Sequence, residues 1–135
     1  MPDRIRLLCV DDETHILRTL ERFCHNEGIW MLGAATAAEG LAILERETVA
    51  IVLSDYQMPG MNGLDFLREV RSRRPVTACI ILSGFIELPA VAQARQQGDI
   101  FGFLAKPWQR EKLKELIQAA SDHYRARIGP EGSGS

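Results

Sequence analysis

The chain has 135 residues, 46% of them hydrophobic and 25% charged, with a formal net charge of -2; these values fit one domain with a packed core. Its lysines and arginines are scattered along helical stretches, which argues against direct nucleic-acid binding through a broad basic face. No apolar run approaches the ~20 residues that span a bilayer and no secretory leader precedes the first one, so a cytoplasmic protein without a membrane partner is expected.

In chain order, the apolar run at residues 5–10 reads as a first strand, and Ile16, Leu17, Leu20 and Phe23 then recur at helical spacing, predicting a helix over 14–26 that Gly28 ends. A shorter run at 30–34 gives a second strand. A helix over 37–45 follows, with Leu41 and Leu44 inward. Residues 49–54 form a third strand whose nearly unbroken apolar character is what a parallel strand covered on both faces requires. Past Gly60-Met61-Asn62-Gly63 a helix places Leu64, Phe66, Leu67 and Val70 on one side. The spacing then predicts a strand over 77–82, a helix over 87–97, a strand over 100–104 and a closing helix from 109 to about 127. Leu17, Leu41, Leu67 and Leu113 are read as core contacts.

Five strands alternating with five helices, joined by right-handed crossovers, predict an α/β fold: a doubly wound parallel sheet of order 2-1-3-4-5, the flavodoxin-like three-layer arrangement. Residues 1–127 make up the domain. The glycine- and serine-rich stretch 128–135 is read as a flexible tail, either a linker to an output domain or an appended remnant. Cys9, Cys24 and Cys79 stand in apolar stretches without metal-ligand spacing and are expected to be buried free thiols.

In that strand order, strands 1 and 3 are neighbours at the topological switch point, so the loops after them converge. Those loops carry Asp11-Asp12-Glu13 and Asp55. Carboxylates gathered in one crevice repel one another, and a divalent cation resolves the conflict. The expected ligands are Asp12, Asp55, Asp11 through a water, and the backbone carbonyl of Gln57. This all-oxygen, incomplete shell suits Mg²⁺. Asp12 or Thr14 is also placed to cap the first helix. Lys106, after the fifth strand, could reach Asp55 or a group attached to it, and a cis bond between Lys106 and Pro107 would aim the amine inward. Ser83 offers a hydroxyl at the same edge. Phe101 and Phe103 put two rings on one face of the last strand. Together these groups suggest in-line phosphoryl transfer to Asp55, with Mg²⁺ and Lys106 neutralising the transferred charge.

The segments Leu7-Leu8-Cys9-Val10-Asp11-Asp12-Glu13, Ser54-Asp55-Tyr56-Gln57-Met58-Pro59-Gly60-Met61-Asn62-Gly63, Ser83-Gly84 and Lys106-Pro107-Trp108 resemble the receiver domains of bacterial two-component response regulators, over about residues 4–125. The resemblance implies that Asp55 accepts a phosphoryl group from the phosphohistidine of a sensor histidine kinase or phosphotransfer protein, with kinase docking near the first helix. It implies that Asp11 and Asp12 serve Mg²⁺, that Lys106 is the salt-bridging amine, and that Ser83 and Phe103 are switch residues. It further implies homodimerisation on phosphorylation through the face of helix 4, strand 5 and helix 5, and either a linked output domain, a cyclic-di-GMP phosphodiesterase or a sigma-54-type transcriptional regulator, or a stand-alone receiver with none. Gln57 and Phe85 match the positions at which the family tunes dephosphorylation. Thr14 and His15 depart from common choices without removing a catalytic group. The competing expectation is a receiver-like interaction domain that works without phosphorylation.

Overall fold

A computed structural model describes residues 5–84 and 89–134, with side chains as far as 128. The elements run β1 (Arg6–Val10), α1 (Thr14–Asn26), β2 (Trp30–Ala34), α2 (Ala37–Arg46), β3 (Ile51–Asp55), α3 (Gly63–Arg73), β4 (Ala78–Ser83), α4 (Pro89–Gln96), β5 (Gly102–Ala105) and α5 (Arg110–Gly134). All neighbouring strands pair in parallel, in the order β2-β1-β3-β4-β5.

Alternation along the strands divides the core into two layers. Leu8, Val10, Val52, Cys79 and Ile81 face α2, α3 and α4, meeting Leu44, Phe66, Leu67, Val70, Val91 and Ala94. Leu7, Cys9, Ile51, Leu53, Ile80 and Leu82 face the other way, against Leu20, Phe23 and Cys24 of α1 and Leu113, Ile117 and Ala120 of α5. Leu67 and Leu113 are fully buried, whereas Leu17 and Leu41 pack at the margins of their layers. The central strands β3 and β4 are buried at every position, while edge strand β2 leaves Trp30 45% exposed beneath the guanidinium of Arg6. The three cysteines are free and buried. Burial pushes the Cys24 and Cys79 thiols up to about 12 and raises Cys9 as well.

Local signals fix several helix starts. The Thr36 hydroxyl accepts from the Glu39 amide at 3.1 Å and donates to the Glu39 carboxylate at 3.4 Å, an N-cap that starts α2. Asn62 caps α3 through the Asp65 amide at 2.9 Å. The expected cap of α1 by Asp12 or Thr14 is corrected. Glu13 is the N-cap residue and gives no side-chain cap, while Asp11 accepts the Glu13 amide at 2.9 Å in a turn just ahead of the helix.

Several element ends differ from the sequence reading by one or two residues, β3 running over Ile51–Asp55 rather than 49–54 among them, and the end of α5 differs by more. The ladder of β5 begins at Gly102 rather than at residue 100, although buried Ile100 and the Phe101 amide, which donates to the Cys79 carbonyl at 2.6 Å, already follow the sheet edge. Helix α5 continues to Gly134, past the expected stop near 127; Ser121 is buried and Tyr124 still packs against the layer formed with α1. Residues 87 and 88, where the fourth helix was expected to start, and Phe85 lie outside the described residues.

Candidate functional site

Strand register assembles the site. Val10 of β1 is paired with Ser54 of β3, so the next residue on each strand, Asp11 and Asp55, emerges side by side at the carboxyl edge. Ser83 of β4 is paired with Ala105 of β5, and the Lys106 amide donates to the Ser83 carbonyl at 2.9 Å, which brings Ser83 and Lys106 to the same edge. Asp55 is the last residue of β3 rather than the first of the loop. Its carboxylate is therefore held by the ladder.

Asp11, Asp12 and Asp55 each place a carboxylate oxygen within 4.8 Å of the others. Asp11 and Asp55 are buried and Asp12 is exposed, so the cluster meets solvent at Asp12. The adjoining cleft has a volume of about 580 Å³ and is lined by the side of the cluster formed by Asp12, Glu13 and Asp55 together with Tyr56, Gln57, Met58, Pro59 and Asn62. A donor set made wholly of oxygen, charged and partly solvated, fits a hard divalent cation that keeps some of its waters.

The Lys106 ammonium sits among three carboxylates: Asp11 Oδ2 at 2.8 Å, Glu13 Oε1 at 3.1 Å and Asp55 Oδ1 at 3.3 Å. The Lys106–Pro107 peptide bond is cis. Burial alone would lower the lysine pKa, but hydrogen bonds to Asp11 and Glu13 outweigh it and hold the amine firmly protonated. Asp55 is shifted upward, first by burial and then by the Asp11 charge; Lys106 and the backbone N–H of Gln57 partly restore its acidity. Glu13 is held below the usual carboxylate range by its hydrogen bond to Lys106.

The remaining candidates lie beside this cluster. Ser83 is buried at the end of β4. Phe103 stands farther along β5, half buried against the α2–α4 layer, with the Arg95 guanidinium 5.6 Å above its ring. The expectation that Phe101 shares a face with Phe103 is corrected: Phe101 precedes the β5 ladder, which begins at Gly102, and packs in the other layer, its ring centroid 5.0 Å from that of His123.

Two residues gain a place that sequence reasoning had not given them. Glu13 was legible only as company for Asp11 and Asp12, yet it is a direct partner of Lys106. Gly63 opens α3 directly against the end of β3: its amide donates to the Tyr56 carbonyl at 2.7 Å, and a Cβ there would lie 2.2 Å from the Asp55 carbonyl oxygen. Its position in a glycine-containing turn was the available signal, but the close approach depends on the tertiary fold.

Comparison with known proteins agrees with this arrangement. The chain is 35% identical over 121 residues to the DNA-binding transcriptional regulator NtrC of Escherichia coli, a match covering 90% of this chain and 26% of that protein. It thus spans about a quarter of the length of such curated relatives. Among solved structures, a CheY-like response regulator receiver domain protein from Methanospirillum hungatei superposes with a TM-score of 0.86 at 30% identity, covering 94% of this chain and all of that one. The beryllofluoride-activated NtrC4 receiver domain dimer gives 0.82 at 26% identity, with 89% and 98% covered. Residues 7–118 match the family model described as the response regulator receiver domain. With five parallel strands in the order 2-1-3-4-5 and an acidic cluster at their carboxyl edge, this chain belongs to the response regulator receiver domain family of bacterial two-component systems.

Proposed function

We propose that this domain is a phosphoacceptor switch in which Asp55 takes a phosphoryl group from the phosphohistidine of a sensor histidine kinase or phosphotransfer protein. The observation that carries the reading is the placement of the Asp55 carboxylate 3.3 Å from the Lys106 ammonium and within 4.8 Å of two further carboxylates. Asp11, Asp12, Asp55 and the backbone carbonyl of Gln57 would hold Mg²⁺, which when bound neutralises the carboxylates and the charge that develops on the transferred group.

The chain's own residues account for the remaining requirements. Asp55 reacts as its carboxylate, so no general base is needed. Its oxygen forms the new bond to phosphorus as the phosphorus–nitrogen bond of the phosphohistidine breaks, and the imidazole leaves with that electron pair. Lys106 donates to the oxygens that gain charge, from a position already fixed by Asp11. The product is an acyl phosphate open to hydrolysis, and Gln57 and Phe85 tune its lifetime. New negative charge and acceptor oxygens on Asp55 attract the Ser83 hydroxyl, and Phe103 repacks. The face of α4, β5 and α5 then changes, to control a partner, a second copy of the domain or a linked output domain.

Supporting this wider reading, NtrC is a DNA-binding transcriptional regulator nearly four times as long as the matched region, and the NtrC4 receiver is an activated dimer. The receiver itself makes no direct contact with nucleic acid in this scheme. No helix among the described residues is long and apolar enough to cross a membrane, in keeping with a cytoplasmic site of action.

The test is intact-mass spectrometry after incubation with acetyl phosphate and Mg²⁺. One added phosphoryl group on the wild-type chain and none on Asp55→Asn is the expected result. An unmodified wild-type chain would overturn the reading and leave the phosphorylation-independent interaction domain in its place.

A further inference from the structure

We propose that Glu13 is a positioning residue for Lys106: an exchangeable acceptor that holds the ammonium over the cleft and releases it to a phosphoryl oxygen when one arrives. The inference rests on the phosphoacceptor reading and adds to it a residue outside the three clustered aspartates.

An ammonium group has three N–H donors. Lys106 has three carboxylate partners: it donates hydrogen bonds to Asp11 at 2.8 Å and Glu13 at 3.1 Å and makes an ion-pair contact with Asp55 at 3.3 Å. A tetrahedral anion on Asp55 needs one of those donors, and one existing contact must yield. The three acceptors are not equally able to do so. Asp11 is fully buried, and its other oxygen accepts the Glu13 amide, so moving it would unmake the turn that starts α1. Asp55 is the reacting group itself. The Glu13 side chain is 47% exposed, at the rim of the cleft, and its freed carboxylate would be taken up by water. An ion pair at that exposure is worth little, which is the property an exchangeable contact requires.

Glu13 is anchored by its backbone, while its side chain is about half exposed to solvent. The Asp11 turn fixes its amide, and its carbonyl accepts the Ile16 and Leu17 amides in the first turn of α1. The carboxylate is thus delivered to one place by a rigid base, within reach of Lys106, while solvent competes for it. His15 Nε2 lies 3.8 Å from the second Glu13 oxygen, with its side chain 73% exposed, and pairs with that carboxylate only when the imidazole is protonated.

Two variants separate this role from simple charge. Glu13→Gln removes the negative charge. Glu13→Asp keeps it but draws the carboxylate back by about one carbon–carbon bond, ~1.5 Å, which takes the contact out of hydrogen-bond range. Beryllofluoride, a tetrahedral phosphoryl mimic, is titrated at saturating Mg²⁺ against wild type and both variants. In parallel, NMR of metal-free protein follows hydrogen exchange at the Lys106 ammonium.

If Glu13 competes for Lys106, both variants bind beryllofluoride about 2- to 5-fold more tightly, and the ammonium protons exchange faster in both. If Glu13→Asp behaves as wild type in both measurements while Glu13→Gln binds more tightly, local charge is the cause and the proposal falls. Unchanged binding in both variants overturns it as well. Should wild type itself fail to bind beryllofluoride, the phosphoacceptor reading is what has failed. The metal-free exchange measurement then judges the tether by itself, and unaltered exchange in Glu13→Asp rejects it.

Discussion

The two loops that meet at the cleft are built on different principles. The loop from β3 to α3 is fixed by backbone proximity: Tyr56 donates to the Leu82 carbonyl at 2.9 Å, Gly63 donates to Tyr56 at 2.7 Å, and no space is left for a side chain at Gly63. The loop from β1 to α1 is fixed by charge, through Asp11 on the Glu13 amide and Lys106 across both acids. Backbone packing is stiff and insensitive to solution conditions, whereas ion pairs respond to protons, cations and arriving anions. The group that is to be modified thus sits on the rigid side, and the groups that must readjust around it sit on the adjustable side.

The contrast can be attacked first at Gly63. Gly63→Ala forces backbone against backbone and should cost about 3 kcal/mol in urea unfolding, with no recovery on adding Mg²⁺. A loss below about 0.5 kcal/mol would show that the loop gives way and is no stiffer than its counterpart. Next is Lys106→Met, which leaves buried Asp11 without its cation. Because the lysine side chain is 14% exposed, the cost is set below that of a fully buried pair, at about 2 kcal/mol. Unlike the glycine variant, it should regain much of that stability when Mg²⁺ is titrated in, as read by thermal shift. Failure of Mg²⁺ to restore any of it would break the link between the charged loop and a cation.

Asn62→Ala tests the rigid loop at a milder point. It removes the cap on Asp65 and should cost about 1 kcal/mol, independent of Mg²⁺. The smallest effect is a gain. Asp55 is raised in the folded chain by burial and by Asp11, so the native state binds its proton more tightly than the unfolded state does. Stability therefore falls as pH rises through the interval from the ordinary carboxylate value to the raised one, and the full penalty is present above it. Without added metal, Asp55→Asn should melt slightly higher than wild type at pH ~7, with the advantage fading toward pH ~4. An advantage that grew on acidification would reverse the sign of this argument.

Much of this contrast was legible beforehand, and the reason differs from one residue to another. The unbroken apolar runs of β3 and β4 announce burial on both faces, and the alternation of elements leaves a parallel sheet as the economical solution. Asp11, Asp12, Asp55, Ser83 and Lys106 could be gathered in advance because each follows or ends a strand, and a parallel sheet carries all such positions to one edge. Glu13 was hidden because it reaches Lys106 across 93 residues from a helix start, where an acid has an ordinary helix-dipole explanation. Gly63 was hidden because sequence cannot measure how closely a helix start approaches a strand end. The α1 start escaped for a related reason: Asp11 spends its side chain on the turn, and Glu13 spends its own on a lysine from the far side of the sheet.

The three sealed thiols give the molecule an internal gauge. Cys9 and Cys24 lie in one core layer and Cys79 in the other, all with little tendency to ionise. A chromogenic disulfide reagent in solution can therefore attack them only when the structure opens. The rate of colour development reports how often each side of the sheet comes apart, residue by residue once the products are mapped, without any label having been added.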